Sequence, residues 1–241
     1  MGHFFLRGVG RRAVRGLSDF GKLLLSLLKR KKRVGLYVDG FNLYHAIADL
    51  NKPHLKWLDL RALAERLIDR RDERLLRVVF CSAYPTHLND AKKLERHQDY
   101  IAALEARGVE CYMGQFKKRP VTRCRSCNHA WQTHEEKESD VMLALQILHD
   151  AHLDRVDQVY LLSGDSDFAS LARLFREEFP NKKFFSVSPP RRPHSKEVLQ
   201  HAHGKRRLRL TTLEKCLLPS EVQDARGRIL SVRPVEYDPP S

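Results

Sequence analysis

Short apolar runs separated by helical stretches recur from Val34 onward, and this alternation constrains the chain more than any other feature. The apolar, β-branched or aromatic runs lie at residues 34–38, 75–83, 109–113, 158–163 and 183–187. Helical patterns lie between and after them, at residues 58–69, 89–107, 135–151 and 168–178, with a short one at 195–202. Leu94, Ile101 and Leu104 keep a helical period, and Gly108 follows where a C-capping glycine belongs. Strand, helix and strand repeated in this way give parallel units joined by right-handed crossovers. The expected fold is α/β, a Rossmann-like parallel sheet of about five strands flanked by helices, with the first and fourth strands adjacent.

Two of the runs end in acids. VGLYVDGFNLYHA, residues 34–46, carries Asp39 and Asn42; QVYLLSGDSDFASLARL, residues 158–174, carries Asp165 and Asp167. Sites in open parallel sheets form at the carboxyl ends of the strands where the strand order reverses. The helical pattern at 135–151 is apolar nearly all round beyond its first turns, yet those turns hold Glu136, Lys137 and Asp140, whose spacing of three and four places all three on one face. Acids gathered at one place repel unless a cation lies among them, and oxygen ligands favour magnesium or manganese. Some of these acids also suit places that serve the fold alone. Asp140 suits a helix N-terminus, Asp165 suits a turn, and Asp167 suits a helix cap. Lys137 is either a phosphate contact or a solvated lysine.

DGFN after an apolar strand, EEKESDVMLAL on a helix and YLLSGDSDF after a later strand resemble, in that order, the NYN domains of the PIN-like nuclease superfamily, including its LabA-like branch. The resemblance spans residues 34–187 or somewhat more. It implies a PIN-like fold, a magnesium- or manganese-dependent acidic site and ribonuclease activity, a hydrolysis of RNA phosphodiester bonds by metal-activated water. By motif, Asp39 and Asn42 answer to the first acidic motif, Asp140 to the helix acid, and Asp165 and Asp167 to the last pair. Lys137 is then placed to hold a substrate phosphate. Two rivals differ. A haloacid dehalogenase phosphatase needs a second acid two residues after Asp39, where Phe41 stands. A non-catalytic RNA-binding or scaffolding module shares the same charge and fold.

Between the third strand and the acidic helix, RCRSCNHAWQTHEEK brings Cys124 and Cys127 at a spacing that lets two thiolates share a zinc. His129 and His134, or Cys111, can complete the four ligands; a redox dithiol is the alternative. Cys81 and Cys216 read as core thiols, and the five cysteines do not form a secreted disulfide framework.

The net charge is +14, of which residues 1–33 carry +9, with ten Lys or Arg and one acid. This stretch is expected to be a basic amphipathic or irregular extension, able to meet RNA, a membrane surface or a protein. Residues 34–233 are expected to form the domain, with a cysteine-containing insertion at 117–134, and residues 234–241 an irregular tail. No apolar run approaches the length of a membrane span, so a cytoplasmic protein is expected.

Overall fold

The computed structural model describes residues 30–240 apart from 89, 124, 132 and 133. In chain order the strands are β1 (Lys32–Asp39), β2 (Glu73–Ala83), β3 (Glu110–Lys118), β4 (Thr122–Arg123), β5 (Ala130–Trp131), β6 (His134–Lys137), β7 (Gln158–Leu162), β8 (Lys183–Ser188), β9 (Gly204–Arg207), β10 (Glu221–Gln223) and β11 (Ile229–Val232). The α-helices are α1 (Gly40–Ala48), α2 (Leu60–Leu67), α3 (Ala91–Ala106), α4 (Ser139–His152), α5 (Ala169–Glu178), α6 (Lys196–His201) and α7 (Leu210–Leu213). The stretch from Lys32 to Ser241 is one compact unit.

Among the described residues the main sheet has seven strands in the order β6-β3-β2-β1-β7-β8-β9. All pair in parallel except β6, which runs antiparallel to β3. The expected α/β fold is therefore present, with β1 beside β7 and the strand order reversing between them. Charged strands that a hydrophobic pattern does not reveal, β6 (HEEK) and β9 (GKRR), form its two edges. Each pairs with a neighbour on only one side, so it needs no continuous apolar run.

The central strands are buried on both faces, as parallel sheets between two helical layers must be. Val34, Leu36 and Val38 of β1 pack with helices α1 to α3 on one face. Tyr37 packs with Leu143 and Ile147 of α4 and with Leu171 and Phe175 of α5 on the other. Successive side chains in a strand point to opposite faces, so Asp39 falls on the face of Tyr37 and α4. Burying a leucine or phenylalanine in such a layer stabilises by about 1.5–3 kcal/mol.

Beneath α4 lies a charged cluster that no sequence motif announced. Asp150 of α4 is fully buried. Its carboxylate accepts from Arg77 Nη1 of β2 at 2.5 Å and from the hydroxyl of Tyr37 at 2.6 Å. Arg77 also pairs with Glu110 at the start of β3. This cluster ties three adjacent strands to the far end of the helix whose first turn carries Asp140.

The helix expected from residue 135 begins four residues later. Residues 134–137 instead pair with β3, Glu136 opposite Phe116 and Lys137 opposite Gln115. Gly114 makes this close approach possible, because a side chain there would collide with the carbonyl oxygen of Lys137. Glu138 then turns the chain into α4 with φ of 84°. The helical face expected for Glu136, Lys137 and Asp140 is thus replaced by a strand, a turn and a helix. No helix among the described residues is long and apolar enough to cross a membrane.

Candidate active site

The reversal between β1 and β7 creates a crevice at the carboxyl edge of the sheet. A cavity of about 500 Å³ opens there, lined by Asp39, Asn42, Glu136, Asp140, Gly164 and Asp165, with Phe41 and His45 on one wall and Arg192 and Pro193 at another. Three separate stretches of sequence deliver these acids, as their placement after two strands and beside one helix leads one to expect.

Asp39 ends β1 and caps α1. One carboxylate oxygen accepts from the backbone N–H of Asn42 at 2.9 Å, the other from the hydroxyl of Ser163 at 2.8 Å. Ser163 Oγ in turn accepts the backbone N–H of Asp165 at 3.0 Å. Asp39 is only 5% exposed, and burial raises its pKa, with Asp165 and Glu136 adding to the rise while its two hydrogen bonds oppose it. Gly40 is needed for space more than for flexibility. A Cβ there would lie 2.5 Å from the Phe80 ring and 2.7 Å from the carbonyl of Cys81.

Asn42 Oδ1 accepts the backbone N–H of Gly164 at 3.0 Å, so the oxygen expected to serve a metal or a water holds the two acidic loops together. Asp165 shapes the following turn by accepting the N–H of Asp167 at 2.9 Å. Asp167 itself is exposed and does not line the cavity, although its charge still acts on Asp140. The cap position of α5 is Phe168, with no side-chain cap bond.

Asp140 is strongly perturbed. Although the residue as a whole is exposed, protein around its carboxyl leads the causes that raise its pKa to about 7, followed by the charges of Asp39, Glu136, Asp165 and Asp167. Glu136 reaches the cavity from β6, and its carboxylate accepts the N–H of Ser139 at 3.2 Å. Neighbouring Lys137 does not line the cavity, as strand alternation dictates. The cation that does is Arg192, which pairs with Asp49. Ser163 and Arg192 are the parts missed by motif reasoning, and Glu136, noted beside Asp140 in the sequence, was given no site role there. Ser163 left a signal of its own, a hydroxyl at the end of an otherwise apolar strand.

The donor set is of hard oxygens whose charges add to the rise in the pKa of Asp39 and Asp140, which suits a divalent cation. Among the described residues no three His, Cys, Asp or Glu side chains already form a group that could hold an ion. Asp39 is held by its two hydrogen bonds to Asn42 and Ser163. Of the expected zinc ligands, Cys124 lies outside the described residues, Cys127 is an exposed turn residue and His134 lies in β6. Cys111 packs against the core, and burial pushes its thiol up to about 12, which disfavours the thiolate a zinc ion needs.

Fold and crevice together define a PIN-like α/β domain with an acidic cleft at the sheet's reversal. The chain belongs to the NYN domain family, whose sequence model matches residues 33–205. It is 25% identical to a protein named 6-hydroxy-3-succinoylpyridine 3-monooxygenase HspA from Pseudomonas putida, over 85% of this chain and 75% of the relative. A crystal structure of a protein of unknown function from Vibrio parahaemolyticus shares the fold, with a TM-score of 0.51 and 20% identity, covering 78% of this chain and 97% of that one.

Proposed function

We propose that this protein is a divalent-metal-dependent ribonuclease, hydrolysing RNA phosphodiester bonds in the crevice between β1 and β7. The observation that carries this reading is the convergence of Asp39, Glu136, Asp140 and Asp165 on one cavity, with Asp140 raised to about 7 by burial first and by the neighbouring acids second. Membership of the NYN family, whose members are generally nucleases, supports it.

In this reading Asp39, Asp140 and Asp165 hold the cation, and Glu136 joins them from the sheet edge. A magnesium or manganese ion held there would lower the pKa of a water and offset charge growing on the phosphate. The chain's own residues do the rest. Asp39, fixed by Ser163 and Asn42, sets the position of the site. Asp140, the exposed member of the four, accepts a proton from the attacking water. Arg192, at the cavity rim, contacts a substrate phosphate in place of Lys137. Asp167 adds field without direct contact. A structural zinc at Cys124 and Cys127 would stiffen the insertion between β3 and β6 and takes no part in hydrolysis.

The test is cleavage of single- and double-stranded RNA with manganese, beside an Asp165→Asn control. Metal-dependent cleavage lost in the variant supports the assignment; no cleavage, with RNA still bound, favours a non-catalytic RNA-binding module. The pyridine monooxygenase among the relatives brings a second reading, recognition of a small aromatic ring. One observation favours ring recognition of some kind, an aromatic cavity beside the acidic one.

A further inference from the structure

The acidic cavity shares a wall with a second cavity of about 280 Å³, and that wall is aromatic. Phe41 and His45 line both cavities, their ring centroids 4.9 Å apart. Phe116 of β3 stands 5.7 Å from Phe41, and Tyr44 stands 5.6 Å from His45. Four rings thus extend from the sheet edge along α1. Tyr44 is 37% exposed, so the row is open to solvent at one end.

The charges of the two cavities are opposite. Among the described residues no Asp or Glu lines the aromatic cavity, whereas Lys56, Lys93 and Arg96 do. Lys56 Nζ lies 5.0 Å from the centroid of Tyr44 and 5.9 Å from that of Tyr237. Glu236 steadies Arg96 from outside, at 3.2 Å. His97 on the wall is held neutral, its pKa lowered to about 4 by burial and by Lys93. A ligand that suits such a place has a flat ring for the aromatic faces and negative charge for the cations at the edge.

We propose that this cavity takes an unpaired nucleobase of the RNA strand, from the nucleotide next to the phosphate held in the acidic cavity. The proposal rests on the ribonuclease reading for the identity of the strand. Bases stack on aromatic side chains whatever their sequence, and each such stack weakens about fivefold to a hundredfold when the ring is removed. Sharing Phe41 and His45 makes the two cavities immediate neighbours, so a strand crossing one can place its adjacent base in the other. Lys56, Lys93 and Arg96 then meet the backbone phosphates that the acids alone would repel. A base must leave its duplex to enter, which makes single-stranded RNA the substrate.

Two measurements on the full chain test this. In the first, adenosine, guanosine, cytidine and uridine are titrated in EDTA and the methyl signals of Leu43, Ile47 and Leu88 are followed by NMR. At least one nucleoside should saturate these shifts, ribose should not, and Phe116→Ala or Tyr44→Ala should weaken the binding about tenfold. In the second, RNA strands carrying one abasic residue at successive positions are cleaved with manganese. One abasic position beside the cut should slow the wild-type protein about tenfold, and Phe116→Ala should be equally slow on intact and abasic strands. Thermal unfolding of both variants establishes that they fold.

The proposal is overturned if no nucleoside shifts the cavity signals, or if pyridine-3-carboxylate saturates them where nucleosides do not. It is also overturned if Phe116→Ala slows intact and abasic strands by the same factor. Absence of any RNA cleavage by the wild-type protein would remove the ribonuclease reading instead, and the nucleoside titration would still decide the cavity's ligand.

Discussion

The hydroxyl of Ser163 donates to the carboxylate of Asp39 over 2.8 Å, joining the ends of β1 and β7 where the sheet reverses. This bond, the Asn42–Gly164 bond beside it and the Asp165–Ser163 bond that follows build the floor of the acidic cavity from two short motifs.

Asp39→Asn or Asp165→Asn should reduce metal-dependent RNA cleavage by at least a hundredfold, while circular dichroism and elution volume stay those of the wild type. Neutralising one member of a crowded acidic set relieves repulsion, so the thermal midpoint in EDTA should hold or rise. Wild-type cleavage rates in both variants would remove these acids from the reaction.

Asp140 gives the domain a predictable pH dependence. Its folded pKa of about 7 lies above the ordinary 3.8, so the folded state holds this proton more tightly than the unfolded chain. The resulting cost to folding is absent below the ordinary value, grows between the two and is complete above about pH 7. Asp140→Asn should therefore raise the thermal midpoint in EDTA more at about pH 8 than at about pH 4. Equal effects at the two pH values would show that the carboxyl is not perturbed in the free protein.

The Arg77–Asp150 pair should behave as a buried ion pair does. Asp150→Ala leaves Arg77 and Tyr37 without their acceptor, and urea unfolding should show a loss of about 3–5 kcal/mol. Replacing both partners, as Arg77→Met with Asp150→Leu, should cost much less, because the charge that loses its partner, Glu110, is half-exposed to water and no fully buried charge is left uncompensated.

Two N-terminal deletions test different things. Deleting residues 1–29 removes six Lys or Arg and one acid, and should lower the salt dependence of RNA binding while cleavage of short strands survives. Deleting residues 1–33 removes more than charge. Arg33 donates to Asp157 at 2.7 and 3.1 Å and also reaches Asp154, and it holds the Asp157 carboxyl down at about 2. The longer deletion should show a lower thermal midpoint; the shorter one should not.

The central sheet was legible because its strands are buried on both faces and read as unbroken apolar runs. Asp39 and Asp165 were legible because each closes such a run. The edges were not. His134 to Lys137 is a charged stretch whose strand conformation comes from pairing with Gln115 to Lys118, a tertiary contact that local pattern does not contain. That one misread element moved Lys137 out of the cavity and brought Glu136 in by another route. Arg77 and Asp150 were invisible for a related reason. They lie 73 residues apart, and nothing near either one tells of its partner.

The pairing of β6 with β3 has a consequence for how this domain can change. Because Glu136 sits opposite Phe116 and Lys137 opposite Gln115, the chain is returned to a fixed register before it enters α4. Whatever lies between Lys118 and His134 starts and ends at two points clamped to each other. The register at which the chain enters α4, and with it the place of Asp140, is thus set by the β3–β6 pairing and not by the length of the segment between.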